Sequence, residues 1–263
     1  MKLSIITVTR NDLAGLRRTA ESVAAQVWRD FEWIIIDGAS TDGTKEYLQQ
    51  LSPQPDYWIS EPDRGVYDAM NKGLSIARGE YLLFLNAGDS LFEANTLQDC
   101  FRHFPGGDVV YGDALFIYPK KERKETHPDR LSLYYFRHRS LCHQATFIRR
   151  VLLRDSGGYS LSYKIVSDWR QWVVWMIEGR TFHHLPLTVC RYMQDGLSYV
   201  HRKTSNRERD EVFREVLPPI YCDLMHEAEG LYRRKKKKYL RWIYLLSAAC
   251  LTLIIALVLC LMR

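Results

Sequence analysis

The chain has 263 residues, 46% of them hydrophobic, enough to bury one substantial core or two fused subdomains that share a sheet. Its formal net charge of +6 is local: residues 233–241 (RRKKKKYLR) hold seven Lys and Arg, while residues 1–232 carry 29 basic and 31 acidic side chains. A nucleic-acid-binding face needs positive charge spread over a fold, and a zinc or disulfide module needs clustered cysteines, so neither class fits this chain.

The six cysteines, at 100, 142, 190, 222, 250 and 260, form no C-x-x-C pair and read as free thiols of a reducing compartment. Leu3–Val8 is a short apolar, β-branched run, too brief for a signal peptide, and predicts a buried strand. Asn11 and Asp12 can cap the helix that follows, with Leu13, Leu16, Ala20, Val23 and Val27 on its apolar face. EWIIID (Glu32–Asp37) predicts a second strand, followed by the turn GASTDGT and a helix from Thr44. Tyr57–Ser60 predicts a third strand, and the loop EPDRG opens a helix through Ala69, Leu74 and Ala77. Tyr81–Leu85 is a fourth strand that ends in the polar turn NAGD, and Asp108–Tyr111 a fifth. Strands alternating with short helices imply parallel pairing with right-handed crossovers, and ligands of such sheets bind beyond the carboxyl ends of the strands. Asp37, Asp63, Asn86 and Asp89 all fall at those ends.

Residues 113–200 are less regular. PKKERKETH reads as an exposed basic loop, CHQATFIRR as a short strand, and YKIVSDWRQWVVWMIEG as a loop entering a helix. Asp168 stands at the start of that helix, where it can serve as N-cap. Residues 203–232 read as a polar helical connection broken at Pro218-Pro219. From Trp242 to Met262 the chain runs 21 residues without a charge. As a helix this stretch is about 32 Å long, the span of a hydrocarbon core. The preceding basic run places that end in the cytoplasm by the positive-inside rule and suits anionic lipid.

No G-x-G-x-x-G follows the first strand and no P-loop is present. The ordered set SIITVTRN, IIIDGASTDGT, SEPDRGVYDAMNKGLSIARGEYLLFLNAGD, CHQATFIRR and VSDW resembles family 2 glycosyltransferases of the GT-A fold, over residues 1–195. It is most similar to bacterial enzymes of exopolysaccharide, colanic acid and O-antigen assembly. The resemblance implies an α/β fold, a mainly parallel mixed sheet flanked by helices, with the apolar tail added as a C-terminal transmembrane helix. Residues 1–112 would be the nucleotide-sugar-binding half and 113–202 the acceptor and catalytic-base half. Residues 203–241 would form the juxtamembrane connection and 242–262 the membrane helix.

By the same resemblance, Thr9, Asp37, Asp63, Asn86 and Asp89 would contact the nucleotide sugar, and Asp168 would be the catalytic base. His143 and Gln144 match a family motif near phosphate or acceptor. Leu85-Asn86-Ala87-Gly88-Asp89 departs from the family's L-D-x-D-D metal pattern, leaving Asp89 as the one carboxylate for Mg²⁺ or Mn²⁺. One Asp remains workable, because such ions also take substrate phosphates and water. The implied activity is inverting transfer from a UDP-linked sugar to a polyprenyl-linked saccharide, by a single-pass enzyme of the inner membrane with its catalytic domain in the cytoplasm. Arg64, Lys72, Arg149 and Arg150 are further candidates to face phosphates. Two other readings stay open: sugar transfer to polyprenyl phosphate, and a catalytically weak sugar- or nucleotide-binding partner.

Overall fold

A computed structural model describes residues 1–193, 202–224, 227, 230–232, 234, 235 and 237. They fall into two units, Met1–Arg209 and Asp210–Arg263. The first unit is built on one nine-stranded sheet in the order β3-β2-β1-β4-β8-β6-β9-β5, with β7 paired to β6 off that path.

The first half follows from local sequence. β1 (Leu3–Thr9) is buried at every position, as a continuous apolar strand covered on both faces must be. Leu3 and Ile5 pack with Leu16, Ala20 and Val23 of α1 (Leu13–Ala24). On the other face Ile6 meets Gly73 of α3 (Val66–Ile76), where an added Cβ would lie 2.5 Å from Ile6 Cγ2. Each such fully buried aliphatic side chain contributes about 1.5–3 kcal/mol. β2 (Phe31–Asp37) lies parallel between β1 and β3 (Tyr57–Ser60), with α2 (Thr44–Gln50) crossing between them in sequence. Register aligns Thr9 with Asp37, and Asp37 with Ser60. β4 (Tyr81–Phe84) is parallel to β1, and Ala87 N donates to Val8 O at 3.0 Å. All four strands therefore deliver their carboxyl ends to one rim.

The opposite rim carries a separate polar anchor. Glu32 is buried and accepts from Ser4 Oγ (2.6 Å), Gly79 N (3.2 Å) and Arg78 Nε (2.8 Å). Burial pushes its carboxyl upward, but these donors outweigh that and hold it below the usual range.

In the second half, β5 (Ser90–Leu91) and α4 (Thr96–Arg102) lead to the long β6 (Val109–Tyr118). β8 (Thr146–Arg149) inserts antiparallel between β4 and β6, while β9 (Phe182–Met193) runs parallel to β6 and antiparallel to β5. α5 (Leu133–His138), α6 (Arg150–Asp155) and α7 (Ser167–Ile177) cover this half around fully buried Phe136, Trp169, Trp172 and Trp175.

Three local expectations need correction. PKKERKETH is not a loop: Lys121–Glu125 form β7, antiparallel to β6, with charged side chains on an exposed edge. α1 stops at Ala24, because Val27 N bonds to Ala94 O; Val27 is 57% exposed rather than packed. The fifth strand continues past Tyr111 to Tyr118, since β7 and β9 supply partners on both sides. α8 (Arg202–Val216) precedes a break, and helical structure resumes at Pro219. The predicted membrane helix 242–262 lies outside the described residues; among those described, no helix is long and apolar enough to cross a membrane.

Candidate active site

The site begins with the helix that carries Asp168. α7 starts at Ser167, with Val166 in the cap position, so Asp168 sits inside the first turn and is not the N-cap. Asp168 is 9% exposed, and its carboxylate is turned to two donors: Tyr67 OH reaches Oδ1 at 2.8 Å, and His143 Nδ1 reaches Oδ2 at 3.0 Å. Burial raises the carboxyl's pKa, but the hydrogen bond and charge of His143, with the hydrogen bond from Tyr67, outweigh it, and Asp168 is held below its ordinary value. Tyr67 is pushed the other way by burial and by the Asp168 charge, so its phenol stays a donor.

The chain of contacts continues across the cavity. His143 Nε2 lies 3.2 Å from Asn86 Nδ2. Asn86 Oδ1 is buried and has no partner among the described residues. Asp89 is 5% exposed; Gln144 Nε2 donates to its Oδ2 at 2.7 Å and Met193 N to its Oδ1 at 3.0 Å. Gln144 is itself oriented by Cys142 Sγ, 3.2 Å from its Oε1. Asn86, Asp89, His143, Gln144 and Asp168 all line one cavity of about 650 Å³.

Thr9, Asp37 and Asp63 form a second station on the same rim, outside that cavity's lining. Asp37 is fully buried; its carboxylate accepts from Ser40 N (3.1 Å), Ser40 Oγ and Ser60 Oγ (2.6 Å). It thereby ties the turn after β2 to the end of β3. Asp63 accepts from Gly65 N at 2.8 Å and lies 3.8 Å from Arg10 Nη1. Its Oδ2 would be 2.2 Å from a Cβ at Gly38, so a glycine lets the two strand ends close together. Thr9 Oγ1 is buried without a hydrogen-bond partner among the described residues. The four carboxylates thus share a rim, in two pairs.

The remaining basic candidates do not join the cavity. Arg64 pairs with Asp68 (2.7 Å) and Lys72 with Glu61 (2.7 Å). Arg149 pairs with Glu80 (3.3 Å) beside Tyr81, at the opposite end of β4, and Arg150 binds Gly79 O there. Tyr67 lies within the motif SEPDRGVYDAMNKG, but its hydrogen bond to Asp168 spans 101 residues and leaves no local signal.

No group of three or more His, Cys, Asp and Glu among the described residues could hold a metal by itself. The residues still fit a cation that brings most of its ligands with the substrate: Asp89 supplies a carboxylate and Asn86 Oδ1 a buried oxygen with no partner.

Residues 4–155 match the profile of "Glycosyl transferase family 2". A "PGL/p-HBAD biosynthesis glycosyltransferase" of Mycobacterium bovis (strain BCG / Pasteur 1173P2) is 39% identical over 225 residues, covering 82% of this chain and 83% of that one. An "Uncharacterized glycosyltransferase" of Mycobacterium tuberculosis H37Rv is 36% identical over 172 residues, 63% of this chain and 65% of its own. Among solved structures, mannosyltransferase PcManGT from Pyrobaculum calidifontis, in complex with GDP-Man and Mn²⁺, superposes with a TM-score of 0.63 at 18% identity, covering 86% of this chain and 68% of that one. S. aureus TarS 1–349 in complex with UDP-GlcNAc gives a TM-score of 0.61 at 18% identity, covering 76% of this chain; the match spans 61% of the TarS fragment. These likenesses establish a GT-A-like mixed α/β fold. With a profile that covers more than half of the sequence and a relative matched along most of its length, the chain belongs to glycosyl transferase family 2 and is a glycosyltransferase.

Proposed function

We propose that this chain moves a sugar, with inversion, from a UDP-linked donor to a polyprenyl-linked saccharide in the assembly of a bacterial polysaccharide. The observation that carries the reading is the line Tyr67–Asp168–His143–Asn86 along one cavity at the strand ends. An acceptor hydroxyl seated at Asp168 loses its proton to that carboxylate as its oxygen attacks the anomeric carbon. The diphosphate leaves from the opposite face, and the single displacement inverts the centre. Tyr67 and His143 fix the carboxylate's direction, which counts for more here than basicity, since the same contacts lower its pKa.

Thr9, Asp37 and Asp63 would frame the nucleoside at the neighbouring station. Because Ser40 and Ser60 occupy Asp37, its contribution is to shape the turn a base rests on as much as to meet the base directly. Asp89 and Asn86 would hold Mg²⁺ or Mn²⁺, which when bound offsets charge on the diphosphate. Binding of UDP-GlcNAc by one structural neighbour and of GDP-Man with Mn²⁺ by another supports a nucleotide-sugar donor and a cation. The relative named for PGL/p-HBAD biosynthesis supports a place in glycan assembly.

Residues 233–262 support the placement: a charge-free stretch of membrane-spanning length behind a basic run tethers the catalytic unit to the inner leaflet, where a lipid-borne acceptor resides. Screening the purified full chain against UDP- and GDP-linked sugars, with and without Mn²⁺, tests the reading. Turnover of a UDP-sugar with a lengthened lipid-linked saccharide as product is expected. A monosaccharide carrier lipid would instead identify the polyprenyl-phosphate reaction, and absence of turnover with every donor would leave only a binding role.

A further inference from the structure

We infer that Arg209, on α8 and beyond the residues matched by the family profile, is the anion-holding residue of the cavity, its guanidinium placed to grip a diphosphate. The inference rests on the transferase reading above and extends it to a residue which that reading does not use.

Arg209 lines the same cavity as Asp168 and His143. Its guanidinium carbon stands 5.0 Å from the Trp169 ring centroid, so the indole covers one face of the group. Its Nε is shielded from solvent and has no hydrogen-bond partner among the described residues. A charged donor kept dry and unpaired is costly unless a ligand completes it. The planar fork of a guanidinium matches two oxygens of a phosphate, which a lysine cannot reproduce.

Neighbouring contacts hold the group in place. Glu208 accepts from Lys164 N (3.1 Å) and Ile165 N (3.0 Å), and Ile165 O accepts from Tyr67 OH (2.7 Å), the same hydroxyl that donates to Asp168. The middle of α8 is thereby bolted to the loop that leads into α7, the helix of Asp168. Other cations at the cavity are less suited. Arg123 and Arg139 already share Glu125, at 2.9 and 2.6 Å, and Lys164 and Arg202 are exposed. Burial works against the Arg209 charge, while the Asp168 carboxylate favours it.

A diphosphate can reach this group from two sources, the donor's leaving group or the lipid end of the acceptor. The full chain, as wild type, Arg209→Ala, Arg209→Lys and Asp168→Asn, would be titrated calorimetrically with UDP and UMP, and its KM measured for a lipid-diphosphate saccharide. On the donor side, Arg209→Ala weakens UDP about 10-fold or more and leaves UMP within about twofold, and Arg209→Lys recovers part of the loss. On the acceptor side, UDP binding is unchanged and the acceptor KM rises about 10-fold. Asp168→Asn leaves the UDP/UMP ratio unaltered in either case. If Arg209→Ala changes neither ligand and only lowers the unfolding temperature, the group is structural and the inference is overturned; should Arg209→Ala fail to fold, Arg209→Lys carries the same comparison. Wild type that binds neither nucleotide would instead overturn the UDP-donor reading on which the inference rests.

Discussion

The two halves of the catalytic unit are stabilised by different materials. Residues 1–112 pack aliphatic strands, Leu3 to Val8, Trp33 to Ile36 and Tyr81 to Phe84, against short helices met within a few tens of residues. Residues beyond 112 pack Phe136, Trp169, Trp172 and Trp175 under strands whose partners lie far away in sequence, as when β8 joins β4 and β6. On the proposed reading, the first half frames the nucleotide, while the second supplies Asp168, His143 and most of the cavity lining. A parallel strand–helix unit can be built from local pattern, whereas the chemistry is assembled by long-range closure.

The largest expected effect falls in the aromatic half. Trp172→Ala removes a fully buried ring packed 5.5 Å from Trp175 and should cost about 3–5 kcal/mol in urea unfolding. A loss below that of an aliphatic truncation such as Ile5→Val, about 0.5–1.5 kcal/mol, would break the contrast. In the aliphatic half, Gly79→Ala places a Cβ 2.5 Å from Leu3 C and Ser4 N, both backbone, and should destabilise by about 1–3 kcal/mol with overpacking as the cause. Asp12→Ala removes the carboxylate that accepts from Gly15 N at 2.8 Å and should cost about 1 kcal/mol, read as a lower melting temperature with unchanged turnover chemistry.

A pH series sharpens the comparison at the site itself. The Asp168 carboxyl lies below its ordinary value when folded, so its contribution to stability is present above the unfolded pKa of about 3.9 and is lost as pH falls through the folded value. His143→Ala removes one of the two side-chain donors and leaves burial to dominate. The acid limb of kcat/KM should then move toward neutral pH, while nucleotide affinity, set in the first half, stays put. An unmoved acid limb would show that His143 does not set the carboxylate's charge.

Sequence legibility divides along the same line. Leu3–Val8, EWIIID and YLLF stand out as buried strands because their apolar runs are continuous, and their ends marked the rim correctly. β9 was invisible: Pro186 interrupts FHHLPLTVCRYM, and the pairing with β6 slips there, from Gly112 opposite Leu185 to Asp113 opposite Thr188. PKKERKETH read as a loop because strand pairing with β6, and not apolar content, makes it β7. At the site, motifs pointed to Asp168, His143, Gln144, Asn86 and Asp89, which line one cavity. Tyr67 and Arg209 gave no such signal, since one acts across 101 residues and the other is one cation among many on a polar helix.

Single-turnover transfer by wild type and Asp168→Asn, with UDP affinity measured on the same samples, tests the account most directly. It predicts unchanged nucleotide binding and a chemical step slower by about 10²–10⁴-fold in the variant. Transfer by Asp168→Asn at a rate close to wild type would mean that the proton goes elsewhere and that the carboxylate beside Tyr67 and His143 only holds the cavity's shape.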